Sequence, residues 1–226
     1  MRAILFDLDG TLLDIDTGAF MTRYFQAVGR VTLSGWRGDV LEALLASTRE
    51  MTSAHPGRTN ASVFWERFAA LTKLDRSAWE PVFERFYDEV FPTLRCGAGP
   101  APGARRVVET AIAHGHSVAI ATNPLFPRRA IETRLSWAGL TDVARGLLVT
   151  SFENSTACKP SPAYFIEVAD ALAVPPAECL MVGDDPSLDM SARDVCMRTW
   201  FVGRPGDAFA DCYGDLDALS SWLAES

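Results

Sequence analysis

Apolar residues in this chain follow two distinct patterns. Short continuous apolar runs occur at Ala3-Ile4-Leu5-Phe6, Ser117 to Ala121, Leu147 to Thr150, Leu180 to Val182 and Thr199 to Val202. Runs of this length, without polar alternation, read as strands buried on both faces. Between them, apolar positions recur at helical spacing: Gly103 to Ala113, Arg128 to Trp137, Pro162 to Leu172, Leu188 to Val195 and Leu216 to Leu223. Pro162 suits a first helical turn, where its missing N–H costs nothing. Alternating strands and helices predict an α/β fold, a doubly wound parallel sheet covered on both sides.

Residues 17–92 break that alternation. They hold helical patterns and no strand: Ala19 to Val28, Asp39 to Glu50, Ala61 to Leu71 with Asn60 as its N-cap, and Ser77 to Val90. The aromatic stripes, such as Phe64, Trp65 and Phe68, read as the interior of this unit. The Gly- and Pro-rich stretch Cys96 to Gly103 reads as a return linker. The predicted organisation is therefore an α/β core formed by 1–16 and 93–226, with a helical unit over 17–92 inserted after the first strand.

Polar chemistry gathers where the predicted strands end. Asp7-Leu8-Asp9-Gly10-Thr11 follows the first strand. Two acids two residues apart on extended chain point to one side, and Gly10 lets the backbone turn. Carboxylates held close repel unless a cation bridges them or one takes a proton. Thr122-Asn123 ends the strand at 118–121, Lys159-Pro160 opens another segment, and Gly183-Asp184-Asp185, with Asp189 beyond, ends the strand at 180–182. In open α/β sheets, ligands bind beyond the strand C-termini.

The order acid pair, threonine, lysine, acid cluster resembles the haloacid dehalogenase-like (HAD) hydrolases over essentially the whole chain. Asp7 to Leu12 is similar to their first motif, Thr122 to the second, Lys159 to the third and Gly183 to Asp189 to the fourth. The resemblance implies a Rossmann-like core and a Mg²⁺-dependent phosphatase. In that reading Asp7 is the nucleophile that forms an aspartyl-phosphate, and Asp9 the general acid/base. Thr122, the backbone N–H of Asn123 and Lys159 bind the phosphoryl group. The resemblance assigns Mg²⁺ to the Asp7 carboxylate, the Asp9 backbone carbonyl and the Asp184 carboxylate. Asp185 and Asp189 stand behind them, either one orienting metal-bound waters or Lys159. The helical unit corresponds to a cap domain, in which Arg23, Arg49, Arg58 and Arg67 and the polar loop 51–58 are candidates to meet an anionic substrate. An acid at Asp9 disfavours a dehalogenase. A phosphomutase of the same family remains an alternative, as does a non-catalytic or signalling protein that accepts a phosphoryl group.

Composition narrows the partners. The 226 residues carry a formal net charge of -8, which argues against nucleic acid. A small phosphorylated substrate is compatible with it, because cations concentrated in one cleft set the local potential. No apolar run approaches the ~20 residues of a membrane span. Five cysteines without a CxxC pair suggest reduced thiols, and the first strand starts almost at once, so a cytoplasmic location is expected, as a monomer or homodimer. Cys158, beside Lys159, reads as a buried bystander. His55, His114 and His116 show no metal spacing.

Overall fold

The computed structural model describes residues 1–53 and 55–225. Ala54, within the polar loop 51–58, lies outside the described residues. The strands are β1 (Ala3–Phe6), β2 (Leu13–Asp14), β3 (Gly99–Pro100), β4 (Ser117–Ile120), β5 (Leu148–Val149), β6 (Cys179–Gly183), β7 (Arg198–Phe201) and β8 (Cys212–Tyr213). The helices are α1 (Thr17–Val28), α2 (Val40–Met51), α3 (Asn60–Thr72), α4 (Arg76–Arg85), α5 (Ala104–Ala113), α6 (Arg128–Trp137), α7 (Pro162–Ala171) and α8 (Leu216–Glu225).

Six strands form one parallel sheet in the order β5-β4-β1-β6-β7-β8. β1 is buried throughout. Ile4 and Phe6 enter one apolar cluster, Ala3 and Leu5 the other, as strand alternation requires. The chain moves outward from β1 through β4 and β5, then returns to β6 on the other side of β1. That reversal is the switch point beside which such sheets bind ligands. Register does the rest. Phe6 pairs with Ile120 and with Val182, so Asp7, Thr122 and Asp184 leave the sheet at one level.

The helical insert, α1 to α4, lies between β2 and β3. Its last predicted helix is broken: α4 ends at Arg85, and the chain continues as a π-helical turn, Phe86–Val90, and a 3₁₀ turn, Phe91–Leu94. Asn60 is not the N-cap of α3. Thr59 is, accepting from the Ser62 amide, and Asn60 stands in the first turn with its side chain turned to the core. The expected helix at 188–195 is a 3₁₀ segment, Met190–Val195, because Asp185 captures the amides of Ser187 and Leu188 and holds the preceding chain in turns. The expected linker 96–103 contains β3, which pairs antiparallel with β2 and ties the two ends of the insert together.

The insert shares one continuous apolar cluster with a sheet face, from Phe20, Phe64 and Trp79 through Phe152 to Ile4 and Phe6. The N-terminus of α3 is anchored on the core. The amides of Asn60 and Ala61 donate to the carbonyls of Ser155 and Phe152 at 2.8 and 2.7 Å, so core backbone satisfies donors that a helix start leaves open. No helix among the described residues is long and apolar enough to cross a membrane.

Candidate active site

A cavity of about 320 Å³ opens beyond the C-terminal ends of β1, β4 and β6. All eight residues singled out from the sequence line it: Asp7, Asp9, Thr122, Asn123, Lys159, Asp184, Asp185 and Asp189. Apolar walls come from α1 (Phe20, Met21) and the loop after β4 (Leu125, Phe126).

Asp7 is fixed by the sheet. Its amide donates to the Val182 carbonyl at 2.9 Å, which aims the chain end across β6. Gly10 then turns with φ +87°, in the left-handed region that a side chain disfavours. A Cβ at Gly10 would collide with the Asp184 carboxylate, so glycine also makes room for that acid. Thr11 Oγ1 donates to Asp184 Oδ1 at 2.7 Å.

Lys159 is the centre of charge. Its side chain is 1% exposed, and Nζ donates to Asp7 Oδ1 at 2.7 Å and Asp189 Oδ1 at 2.5 Å. Its backbone amide donates to Asn123 Oδ1 at 3.2 Å. Asn123 therefore uses its side chain to hold the lysine loop, a contact the sequence reading did not foresee. Thr122 is positioned from behind: its carbonyl accepts from the hydroxyls of Thr150 and Tyr164 at 2.6 and 3.0 Å.

The two outer acids divide their work. Asp189 bonds Lys159 and accepts from the Asp185 amide at 3.0 Å through Oδ2. Asp185 turns its carboxylate into its own loop, onto the amides of Ser187 and Leu188. Of the two, Asp189 is the one that meets the lysine.

Electrostatics follow from this packing. Burial opposes the charge on Lys159, but Asp189 and Asp7 outweigh it and hold the ammonium above its ordinary range. Burial pushes the Asp7 carboxyl well above the ordinary range; Lys159 opposes the shift and Asp189 adds to it. Burial likewise raises Asp184, with the Thr11 hydrogen bond opposing. Three acids, Asp7, Asp184 and Asp189, present ligand oxygens within 4.8 Å of one another. With one ammonium among them, their ionised forms leave two negative charges uncompensated. An all-oxygen donor set of that charge fits a hard divalent cation such as Mg²⁺.

Sequence reading missed Arg134. This α6 residue is 2% exposed, lines the cavity and forms an ion pair from Nη1 to Asp9 Oδ2. Its guanidinium lies 4.5 Å from the Phe126 ring centroid. A signal was present. Arg134 falls on the same helical stripe as the buried Ala130, Ile131 and Trp137, and a charge on an apolar stripe needs a partner. By contrast Arg23, Arg49, Arg58 and Arg67 do not line this cavity, and Arg58 pairs with Glu66.

Cys158 is an inert neighbour. It is buried, donates to the Met51 carbonyl, accepts from Asn60 Nδ2, and burial pushes its thiol up to about 12. A reactive thiolate requires the opposite.

A family model described as haloacid dehalogenase-like hydrolase matches residues 1–193. A phosphoglycolate phosphatase of Rhodospirillum rubrum is 29% identical over 232 residues, covering 98% of this chain and 90% of its own. A bifunctional riboflavin kinase/FMN phosphatase of Arabidopsis thaliana is 30% identical over 185 residues, or 80% of this chain. The match spans only 43% of that plant protein's length. A HAD phosphatase from Thermococcus onnurineus shares the fold, with a TM-score of 0.58 at 23% identity, covering 99% of this chain and 98% of its own.

Proposed function

Since this chain belongs to the haloacid dehalogenase-like hydrolase family, on its phosphatase branch, we propose that it hydrolyses a small phosphorylated metabolite with Mg²⁺, through an aspartyl-phosphate on Asp7. The observation that carries this reading is Lys159 Nζ bridging Asp7 and Asp189. A carboxylate is a weak nucleophile, and beside a buried ammonium it is oriented and can approach a phosphoryl group without two bare anions meeting.

In this reading an Asp7 carboxylate oxygen attacks phosphorus, and the bond from phosphorus to the leaving oxygen breaks. Asp9 gives its proton to that oxygen. It then takes a proton from the water that attacks phosphorus and breaks the bond to Asp7, releasing inorganic phosphate and restoring both acids. Thr122, the Asn123 backbone N–H and Lys159 hold the phosphoryl oxygens. Asp7 and Asp184 would hold Mg²⁺, with the Asp9 carbonyl as a further ligand. The bound ion would supply neutralisation of charge on the phosphoryl oxygens. Asp189 orients Lys159. The helical unit 17–92 acts as a cap that keeps bulk water out and meets the rest of the substrate.

Phosphate release from a panel of phosphorylated metabolites, and from p-nitrophenyl phosphate, tests the reading. Release by wild type with Mg²⁺, lost on chelation and in Asp7→Asn, supports it. No release from any compound with Mg²⁺ present overturns it.

A further inference from the structure

We propose that Arg134 is the positioning residue of Asp9: it holds that carboxylate where it meets the leaving oxygen, so its weight in the reaction follows how much the leaving group needs a proton. The inference rests on the phosphatase reading above and adds a residue to that machinery.

The acids of the cavity are held unequally. Asp7 bonds Lys159, Asp184 bonds Thr11, and Asp189 bonds both Lys159 and the Asp185 amide. Asp9 has a single side-chain partner among the described residues, Arg134 Nη1 on Oδ2, while its Oδ1 has none. A carboxylate with one contact takes its direction from that contact. Arg134 forms no other hydrogen bond: its Nε and Nη2 are enclosed without a partner among the described residues, and the residue is 2% exposed. Stability does not account for it, because a buried charge held by one partner repays little of its desolvation. Nor do enclosed donors reach a ligand. What remains for the guanidinium is the direction it gives Asp9.

Packing fixes Arg134 itself. Its helix, α6, buries Ile131, Leu135 and Trp137 beside it, and Trp137 stacks on Phe91 with ring centroids 5.7 Å apart. The guanidinium lies 4.5 Å from the Phe126 ring centroid, and the Phe126 ring in turn meets Tyr24 of α1 at 5.2 Å. The donor is thus braced between a core helix and the helical insert, and Asp9 is fixed through it. Placement at this precision matters, since a shift of about 1 Å in a reacting group costs about 100-fold in rate.

The test separates two esters by their leaving groups. p-Nitrophenolate departs with the electron pair of the broken phosphorus–oxygen bond and needs no proton, whereas an alkoxide takes one from Asp9. Arg134→Met should lower kcat/KM for the best alkyl phosphate of the panel by at least about tenfold, a part of the ~10²–10⁴-fold that a positioned acid–base group contributes. For p-nitrophenyl phosphate the loss should be less than about threefold. In an Asp9→Asn background the same substitution should cost less than about threefold on either ester, since the group it positions is gone. Arg134→Lys keeps a donor and should fall between wild type and Arg134→Met on the alkyl ester; it carries the same comparison if the methionine variant does not fold. Equal slowing of both esters by Arg134→Met overturns the proposal, because a general loss of structure does not read the leaving group. So does full slowing of the alkyl ester by Arg134→Met in the Asp9→Asn background. Release from neither ester by wild type with Mg²⁺ overturns the phosphatase reading first, and the proposal with it.

Discussion

Gly10 and Asp184 lie so close that a side chain on one would displace the other. They are brought together because β1 and β6 are neighbours in register, although 173 residues separate Asp184 from the adjacent Thr11. Gly10→Ala should therefore do two kinds of damage. Backbone at φ +87° strains any residue with a Cβ by about 1–3 kcal/mol, and the methyl group pushes the Asp184 carboxylate from its place. The expected outcome is a lower melting temperature together with at least about tenfold weaker Mg²⁺ stimulation of phosphate release. Weaker stability with unchanged Mg²⁺ dependence would count against Asp184 as a ligand.

Lys159 is predicted to matter for folding as well as for activity. Its ammonium sits between two buried acids, and Lys159→Met leaves them facing each other without a cation. Breaking a buried pair in this way costs about 3–5 kcal/mol. Denaturant midpoints at neutral pH should fall accordingly. The loss should be smaller at a pH within the ordinary carboxylate range, because a protonated Asp7 needs no counter-charge. In the proposed mechanism phosphate release should drop by about 100-fold or more, since the charge beside Asp7 is lost. An equal loss of stability at both pH values would show that packing, not charge, is what Met fails to replace.

How far these features were legible in the sequence depends on whether the signal was local. β1 and α6 were readable because a continuous apolar run, or apolar residues at helical spacing, reports burial directly. Asp7, Thr122 and Asp184 were readable for the same reason: each ends an apolar run. The choice between Asp185 and Asp189 was not. Both acids lie in one loop, and only the amides of Ser187 and Leu188, which claim Asp185, turn Asp189 toward Lys159. β2 and β3 span two residues each, too few to show a period. Arg134 needed the third dimension, since its acid lies 125 positions earlier in the chain.

Protons and Mg²⁺ should compete for the acid cluster. Burial raises the Asp7 and Asp184 carboxyls above their ordinary range. The folded protein then binds more protons than the unfolded chain between the ordinary carboxylate range and the raised values. Without a divalent ion, the stability these groups contribute is complete below the ordinary range and is lost as pH rises through the raised values. The metal-free protein should therefore lose melting temperature between a pH within the ordinary carboxylate range and a higher pH above the raised values. Asp184→Asn should lessen that fall. Added Mg²⁺ should raise the melting temperature more at the higher pH, stabilising the fold by about 1.4 kcal/mol for each tenfold excess over its dissociation constant. Scanning calorimetry at both pH values, with and without Mg²⁺, checks this. An Asp184→Asn variant with the full Mg²⁺ shift would remove that residue from the ligand set.

Asn60 is predicted to couple the helical insert to the lysine loop. Its amide Nδ2 donates to the Pro124 carbonyl at 3.1 Å and reaches the Ala157 carbonyl and Cys158 Sγ at 3.4 and 3.3 Å. Pro124 follows Asn123, and Cys158 precedes Lys159, so one side chain of the helical insert joins the two segments that Asn123 also links from the core side. Asn60→Ala strands those buried acceptors at about 1–3 kcal/mol. The damage should be local. Hydrogen exchange should accelerate at the start of α3 and around residues 155–159, and not in β1 or β6, where sheet pairing is untouched. Because Lys159 keeps both its acids, phosphate release at saturating substrate should fall less than about tenfold, while KM rises as the insert loosens over the cavity. A carboxylate in place of the amide would put a charge where a donor is needed, so Asn60→Asp should be worse than Asn60→Ala on both measures. Uniform exchange across the sheet in Asn60→Ala would mean that Asn60 holds the whole fold rather than this junction.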